Sequence, residues 1–365
     1  MGEAADREEV RKVTPSLRDK VLGCIGGSQI GSAMGAPVEG WPYERVAEQY
    51  GVLDRFLPYA HYDRSWKRPP GTTEDGTERQ RLLCTAIMEK RGRITPEDLA
   101  RVWLRDCDEE HMKQTMEGFD SRLVRLLRAG VPPRTLGEYS GWHDLVSVAR
   151  SCHPLGVINA GDPEQARQDC LDVGRMYFPE GDVGLEWAGL VAGAIAHALV
   201  PGATVGSVIR TALGLAPERV ARELGAGLAL TRGVRDALAM RQRFGERYQR
   251  RGVGYALSYA DEIVTKAFAI FKVTDGDPRK AIVAAVNFGR DTDCLASIAG
   301  GLAGALSGAR RVPAEWVGAL DKATAKNRYT VSKRTLAETA DGLVRALRQE
   351  MLHLRRRLQG LGGKG

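Results

Sequence analysis

Asp291, Thr292 and Asp293 place two carboxylates and a hydroxyl in three consecutive positions. They follow Gly289, a residue type that ends helices, and precede the glycine-studded apolar run "CLASIAGGLAGALSG". Aspartate and threonine are ordinary helix N-caps, but a cap needs only one such oxygen. Carboxylates at i and i+2 with a hydroxyl between them also suit a hard cation such as Mg²⁺ or Mn²⁺. A second segment repeats the design. In "PPGTTEDGTERQRLL", Thr72, Thr73, Glu74, Asp75 and Thr77 crowd between a Pro-Pro-Gly turn and an evident helix, "TERQRLLCTAIMEK". Two oxygen-rich helix starts, one near each end of the chain, suggest ligands converging on one or two ions. Glu39, after the glycine-rich run and Pro37, adds a carboxylate placed for acid/base work, although an isolated glutamate is more often a surface residue.

Other chemistries lack their residues. The six histidines show no HExxH or other zinc spacing. No P-loop occurs, no serine sits in a GxSxG elbow, and the glycines of "GLAGALSG" follow no strand. The six cysteines lie far apart without CxxC pairs, which predicts reduced thiols and a cytoplasmic protein. The N-terminus has no apolar core of a signal peptide, and no apolar stretch is long enough to span a membrane.

The elements that must position these residues read as helices. "TPSLRDKVLGCIGGSQIGSAMG" opens with Thr14 as N-cap and Pro15 at the first helical position. Gly27, Gly31 and Gly35 recur every four residues and give one helix face with no side chains, open to a neighbouring backbone or a ligand. "TPEDLARVWLRDC" carries a capping-box signature at Glu97 and Asp98. "EWAGLVAGAIAHALV" is apolar nearly all round, as a central buried helix should be, and "PRKAIVAAVNFG" is a helix ending at glycine. Leu295, Ile298, Ala299, Leu302, Ala303 and Leu306 follow helical spacing and mark a core-facing stripe. Strand signals are weak, so the fold class is all-α: a single compact multi-helix domain. Its expected limits are residues 14–350, after a flexible 1–13 and before a basic helix end and flexible tail at 351–365.

Four segments, "GCIGGSQIGSAMGAPVEG", "GTTEDGTERQRLL", "PLGVINAGDPEQA" and "AVNFGRDTDCLASIAGGLAGALSG", together resemble the ADP-ribosylglycohydrolases. The resemblance implies an all-α domain with a central metal-binding cleft, holding a binuclear Mg²⁺ or Mn²⁺ site at its floor. It carries the first metal motif onto Thr73, Glu74 and Asp75, the second onto Asp291, Asp293 and Cys294, and the catalytic roles onto Glu39 and Asp75. The substrate-binding roles fall to Arg290, Tyr177, His153 and Gly289. A buried or capping role for His153 stays open. Glu74 stands where the family has aspartate, Cys294 where it has threonine, Gly76 where a second threonine is common, and Arg290 where glycine is common. Tyr177 stands roughly where a histidine is expected.

The activity implied is hydrolysis at C1 of a ribose in an ADP-ribosylated substrate. A small N-riboside of a biosynthetic or salvage pathway is the alternative, and a non-catalytic binding protein of the same fold is a third reading. A net charge of +7 favours anionic partners or a well-solvated arginine-rich surface. No interleaving of basic and aromatic residues points to nucleic acid. A monomer or small homo-oligomer is expected, acting on a ribosylated small molecule or an ADP-ribosylated protein.

Overall fold

The computed structural model describes residues 14–60, 65–108, 118–248 and 257–362. The flexible N-terminus expected at 1–13 and the last three residues of the expected tail lie outside the described residues. The described residues form helices and two isolated β-bridges, with no strand among them. The all-α expectation is borne out. Among the described residues no helix is long and apolar enough to cross a membrane. All six cysteines are buried and unbonded to one another.

The helices that bear on the acidic residues are numbered here in chain order: α1 (Leu17–Gly35), α2 (Asp75–Lys90), α3 (His153–Ile158), α4 (Val183–Ala198), α5 (Ala260–Val273), α6 (Pro278–Val286), α7 (Thr292–Ser307) and α8 (Leu336–Gly360). At the start of α1 the structure corrects the sequence reading. Ser16, not Thr14, is the N-cap, because its hydroxyl reaches the backbone N–H of Asp19 at 3.2 Å. Helix α2 starts at Asp75, two residues before the evident Thr77, so Asp75 is already helical and Glu74 is its cap residue.

The glycines of α1 face α7, and the two helices run antiparallel with their backbones in contact. A Cβ on Gly27 would lie 2.2 Å from the carbonyl oxygen of Gly300, and one on Gly31 would lie 2.2 Å from that of Ala296. At the far end, a Cβ on Gly35 would lie 2.5 Å from the Thr292 carbonyl oxygen. The bare face therefore admits a neighbouring backbone. The expected apolar stripe on α7 widens to the whole helix: every residue from Thr292 to Ala305 is buried, because α1, α4, α5 and α6 all pack around it. Helix α4 is buried along most of its length, as its sequence predicted.

A buried polar chain fastens α1, α2 and α7 to one another. Gln29 donates to Gln80 at 3.0 Å, Gln80 donates to Ser28 at 2.9 Å, and Ser28 bonds Ser297 at 2.7 Å. Ser297 in turn donates to the carbonyl oxygen of Arg150 at 3.2 Å. Satisfied networks of this kind fix one relative placement of the elements they join. Here those elements are the C-terminal end of α1, the start of α2, the start of α7 and the segment leading into α3. Helix α8 is capped by Thr335 and Glu338, and its residues from Met351 onward are exposed as far as Leu361 and Gly362.

Candidate metal centre

The two acidic segments, far apart in sequence, meet at these ends. Ligand atoms of Asp291, Asp293 and Cys294 lie within 4.8 Å of one another, and so do those of Glu74, Asp75 and Asp293. Asp293 belongs to both groups. All five of these residues, and Thr73, are buried.

Local bonding explains why the loops hold this shape. Arg68 donates to the Thr73 carbonyl oxygen at 3.1 Å, the Tyr59 hydroxyl donates to that of Thr72 at 3.1 Å, and the Thr72 hydroxyl closes onto Pro69 at 2.7 Å. On the other side Asp291 caps α7 by accepting the N–H of Cys294 at 3.3 Å. The loop after α1 is clamped to the loop before α7. Gly40 donates to the Arg290 carbonyl oxygen at 2.8 Å, and the Arg290 N–H donates to Trp41 at 2.7 Å. Glu39 lies within that clamp, partly exposed, and lines a small cavity with Glu74, Asp75, Ser147, Arg150 and Asp291. The cavity is about 40 Å³, space for an ion with a water or two and far short of a ribosyl group.

The electrostatics are those of crowded carboxylates. Burial, and then the neighbouring charge of Asp291, hold the Asp293 carboxyl well above the usual carboxylate range. Glu39 is raised too, by loss of water around its carboxyl first and by Asp293, Glu74 and Asp291 after that. Cys294 is raised mainly by burial and stays a thiol. The buried oxygens here that lack a hydrogen-bond partner include the Thr73 hydroxyl, Asp291 Oδ2 and Asp293 Oδ1. Unsatisfied buried acceptors are costly, and a hard divalent cation satisfies several at once. The residues present therefore fit such an ion.

Not every residue of the sequence reading comes to this cluster. Thr292, placed between the two aspartates, turns away: its hydroxyl donates to the Gly35 carbonyl oxygen at 2.8 Å and ties α7 to α1. Thr292→Val is expected to cost about 1 kcal/mol of stability and leave metal affinity unchanged. Urea denaturation and metal titration of the same variant check both halves. Arg290 has φ of 67° and gives its guanidinium to Glu262, at 2.7 and 2.9 Å, beside Lys266 on the same carboxylate at 2.5 Å. It lines a neighbouring cavity with Tyr43, Arg241 and Lys266. Gly289 has φ of 76°, and a Cβ there would lie 2.5 Å from the Tyr43 nitrogen, so glycine serves the loop contact. Tyr177 is buried edge-on against Trp103, with the Arg79 guanidinium over its ring. His153 is fully buried at the start of α3 beside Gly301, and burial lowers its pKa to about 4. Neither Tyr177 nor His153 lines the acidic cavity.

Sequence reasoning missed Arg150. It is buried, donates to Asp293 Oδ2 at 2.9 Å and Cys294 Sγ at 3.2 Å, and also bonds Asp75. A signal existed in Gly76. A Cβ there would lie 2.7 Å from the Cδ and Nε atoms of Arg150, so the missing side chain at one position makes room for a long one from another.

Known proteins resemble this chain over most of its length. A sequence model described as ADP-ribosylglycohydrolase matches residues 13–352. The chain is 27% identical over 308 residues to the uncharacterized protein YegU of Escherichia coli, covering 80% of this chain and 89% of that one. It is 24% identical over 315 residues to the ADP-ribosyl-[dinitrogen reductase] glycohydrolase of Rhodospirillum rubrum, covering 84% and 92%. A solved structure described as an ADP-ribosylglycohydrolase-related protein complex aligns with a TM-score of 0.61 at 21% identity. It covers 92% of this chain and 99% of that chain, a likeness of fold.

Proposed function

Since the chain belongs to the ADP-ribosylglycohydrolase family and is a glycosyl hydrolase, we propose that it cleaves the bond at C1 of a ribose in an ADP-ribosylated substrate, at the acidic cluster and with Mg²⁺ or Mn²⁺. The observation that carries this reading is the set of buried oxygens without partners, Thr73 Oγ1, Asp291 Oδ2 and Asp293 Oδ1, beside Glu39. The Rhodospirillum rubrum relative, named for an ADP-ribosylated protein substrate, supports the ADP-ribosyl group as the part recognised. Thr73, Glu74, Asp291 and Asp293 would hold the ion. When bound, it would supply a Lewis acid that anchors vicinal hydroxyls of the sugar.

The rest is work for this chain's own groups. Cleavage at C1 passes through a transition state of oxocarbenium character, which buried carboxylates stabilise electrostatically. Glu39 stands at the cavity wall, where its carboxylate can take a proton from the attacking water. Water adds to C1, the bond to the aglycone breaks, and the proton passes to the leaving nitrogen or oxygen. Asp75, at the first turn of α2, also lines the cavity and is a second candidate for orienting that water. The cavity itself is too small for the sugar, so the ribose would have to be met outside it; its lining also includes Leu145, Val146, Ser147 and Ser258.

A second reading, a small N-riboside without a pyrophosphate, draws support from Arg290. Its guanidinium is engaged by Glu262, so the residue expected to bind substrate is not turned toward a phosphate here.

The deciding experiment is a turnover panel of ADP-ribosyl-arginine, ADP-ribosyl-serine peptide, O-acetyl-ADP-ribose, NAD⁺ and simple nucleosides. Each is run with Mg²⁺, with Mn²⁺ and with chelator. Chelator-sensitive release of ADP-ribose is expected. Glu39→Gln should lower kcat by about 10² to 10⁴ with little change in KM, as for loss of a general base. Release of free ribose from nucleosides alone would select the second reading. Full activity in chelator would reject the metal-dependent mechanism.

A further inference from the structure

We propose that this chain binds one divalent ion rather than two, and that the guanidinium of Arg150 stands as a fixed cation among the carboxylates a second ion would need. This rests on the metal reading above and refines it.

Two sets of ligand atoms are close enough for an ion: Asp291, Asp293 and Cys294, and Glu74, Asp75 and Asp293. Arg150 reaches into both. One of its terminal nitrogens donates to Asp293 Oδ2 at 2.9 Å and to Cys294 Sγ at 3.2 Å. The other donates to Asp75 Oδ2. It thus occupies the side of the cluster where Asp75 and Asp293 would share an ion. The buried oxygens that remain without a hydrogen-bond partner include Thr73 Oγ1, Asp291 Oδ2 and Asp293 Oδ1. Asp291 and Asp293 stand in one ligand group, and hard oxygens of this kind suit a single divalent ion.

Two further residues are matched to the guanidinium. Gly76 leaves the space that the arginine stem fills, since any side chain there would meet Arg150 Cδ and Nε at 2.7 Å. Cys294 offers sulfur, a weak acceptor for an N–H and a poor ligand for Mg²⁺. A threonine at either position would favour an ion over an arginine, one by filling the space and the other by supplying a hard oxygen. Arginine also keeps its charge at any pH the protein survives and presents donors in a rigid plane, so it can hold Asp75 and Asp293 in place permanently.

The test counts metal directly. The full-length protein is stripped with chelator, titrated with Mn²⁺, and bound manganese per chain is measured by elemental analysis and by electron paramagnetic resonance. The unmodified chain should take up one equivalent with the spectrum of an isolated Mn²⁺. Arg150→Ala combined with Cys294→Thr should take up two, with a spin-coupled spectrum. Should that variant fail to fold, Gly76→Thr displaces the guanidinium from the opposite side and should also gain a second equivalent. Two equivalents in the unmodified chain would overturn the proposal while leaving the metal reading intact. No bound metal at all would overturn the metal reading and this proposal with it. A count that stays at one in every variant would show that Arg150 is not what excludes the second ion.

Discussion

Asp293→Asn is expected to abolish divalent-ion binding and to lower turnover by at least about a hundredfold, more than loss of an outer-shell partner does. Asp293 is the residue common to both groups of ligand atoms. Its Oδ2 takes the N–H of Arg150, and its Oδ1 is buried with no hydrogen-bond partner. Asparagine keeps the shape but replaces one oxygen with a donor. Whichever way the amide turns, an N–H then points at a cation or at Arg150. No cavity is made, and one of several crowded charges is removed, so the chelated variant should be as stable as the unmodified chain or more so. The informative comparison is thermal. At a metal concentration a hundred times the dissociation constant, binding raises the stability of the unmodified chain by about 2.7 kcal/mol, and Asp293→Asn should show no such gain. A melting temperature that still rises with Mn²⁺ in the variant would remove Asp293 from the ligand set.

The parts of this protein visible in its sequence are those governed by short-range rules. Helical spacing, the Thr95 cap and the oxygen-rich helix starts depend on neighbours a few residues away, and the sequence shows them directly. The Gly27–Gly31–Gly35 spacing announced a close approach but not by what, because the partner, α7, begins more than 250 residues later. Thr292 illustrates the opposite difficulty. Its type and position suit an ion, yet its hydroxyl is used by Gly35, and only the packed structure shows which acceptor is nearer. Arg150 was invisible for a third reason. An arginine in an apolar stretch is ordinarily a surface residue with a buried stem. Its burial follows from two carboxylate-bearing helices, α2 with Asp75 and α7 with Asp293, meeting at it, a fact of tertiary structure. Tyr177, read as facing substrate because of its place after the third motif, lies instead in the core against Trp103, where its large ring fills space between helices.

Gly304→Ala is expected to destabilise the protein by about 3 kcal/mol or more, the upper end of overpacking costs. The added Cβ would lie 1.9 Å from the carbonyl oxygen of Gly23 and 2.3 Å from its carbonyl carbon. Those atoms are backbone, so no side chain can swing aside, and α1 and α7 must separate. Alanine's better helix propensity returns only about 1 kcal/mol. The loss should reach the acidic cluster as well. Helix α7 carries Asp293 in its first turn and Asp291 as its cap, while α1 ends beside them at Gly35, so a shift between the two helices moves ligands on one side of the site relative to Glu39 on the other. Gly26→Ala, on the facing helix α1 but away from the contact, is the control. Its Cβ would meet only the end of the Leu336 side chain at 3.4 Å, so that variant should be neutral or more stable by up to about 1 kcal/mol. Urea unfolding of both variants, with metal affinity measured on each, separates the two causes. Equal effects would mean that helix propensity, not backbone contact, decides what these two helices tolerate. A large loss at Gly304 alone, accompanied by weaker metal binding, is the result expected if the bare face of α1 exists to seat the helix that presents the aspartates.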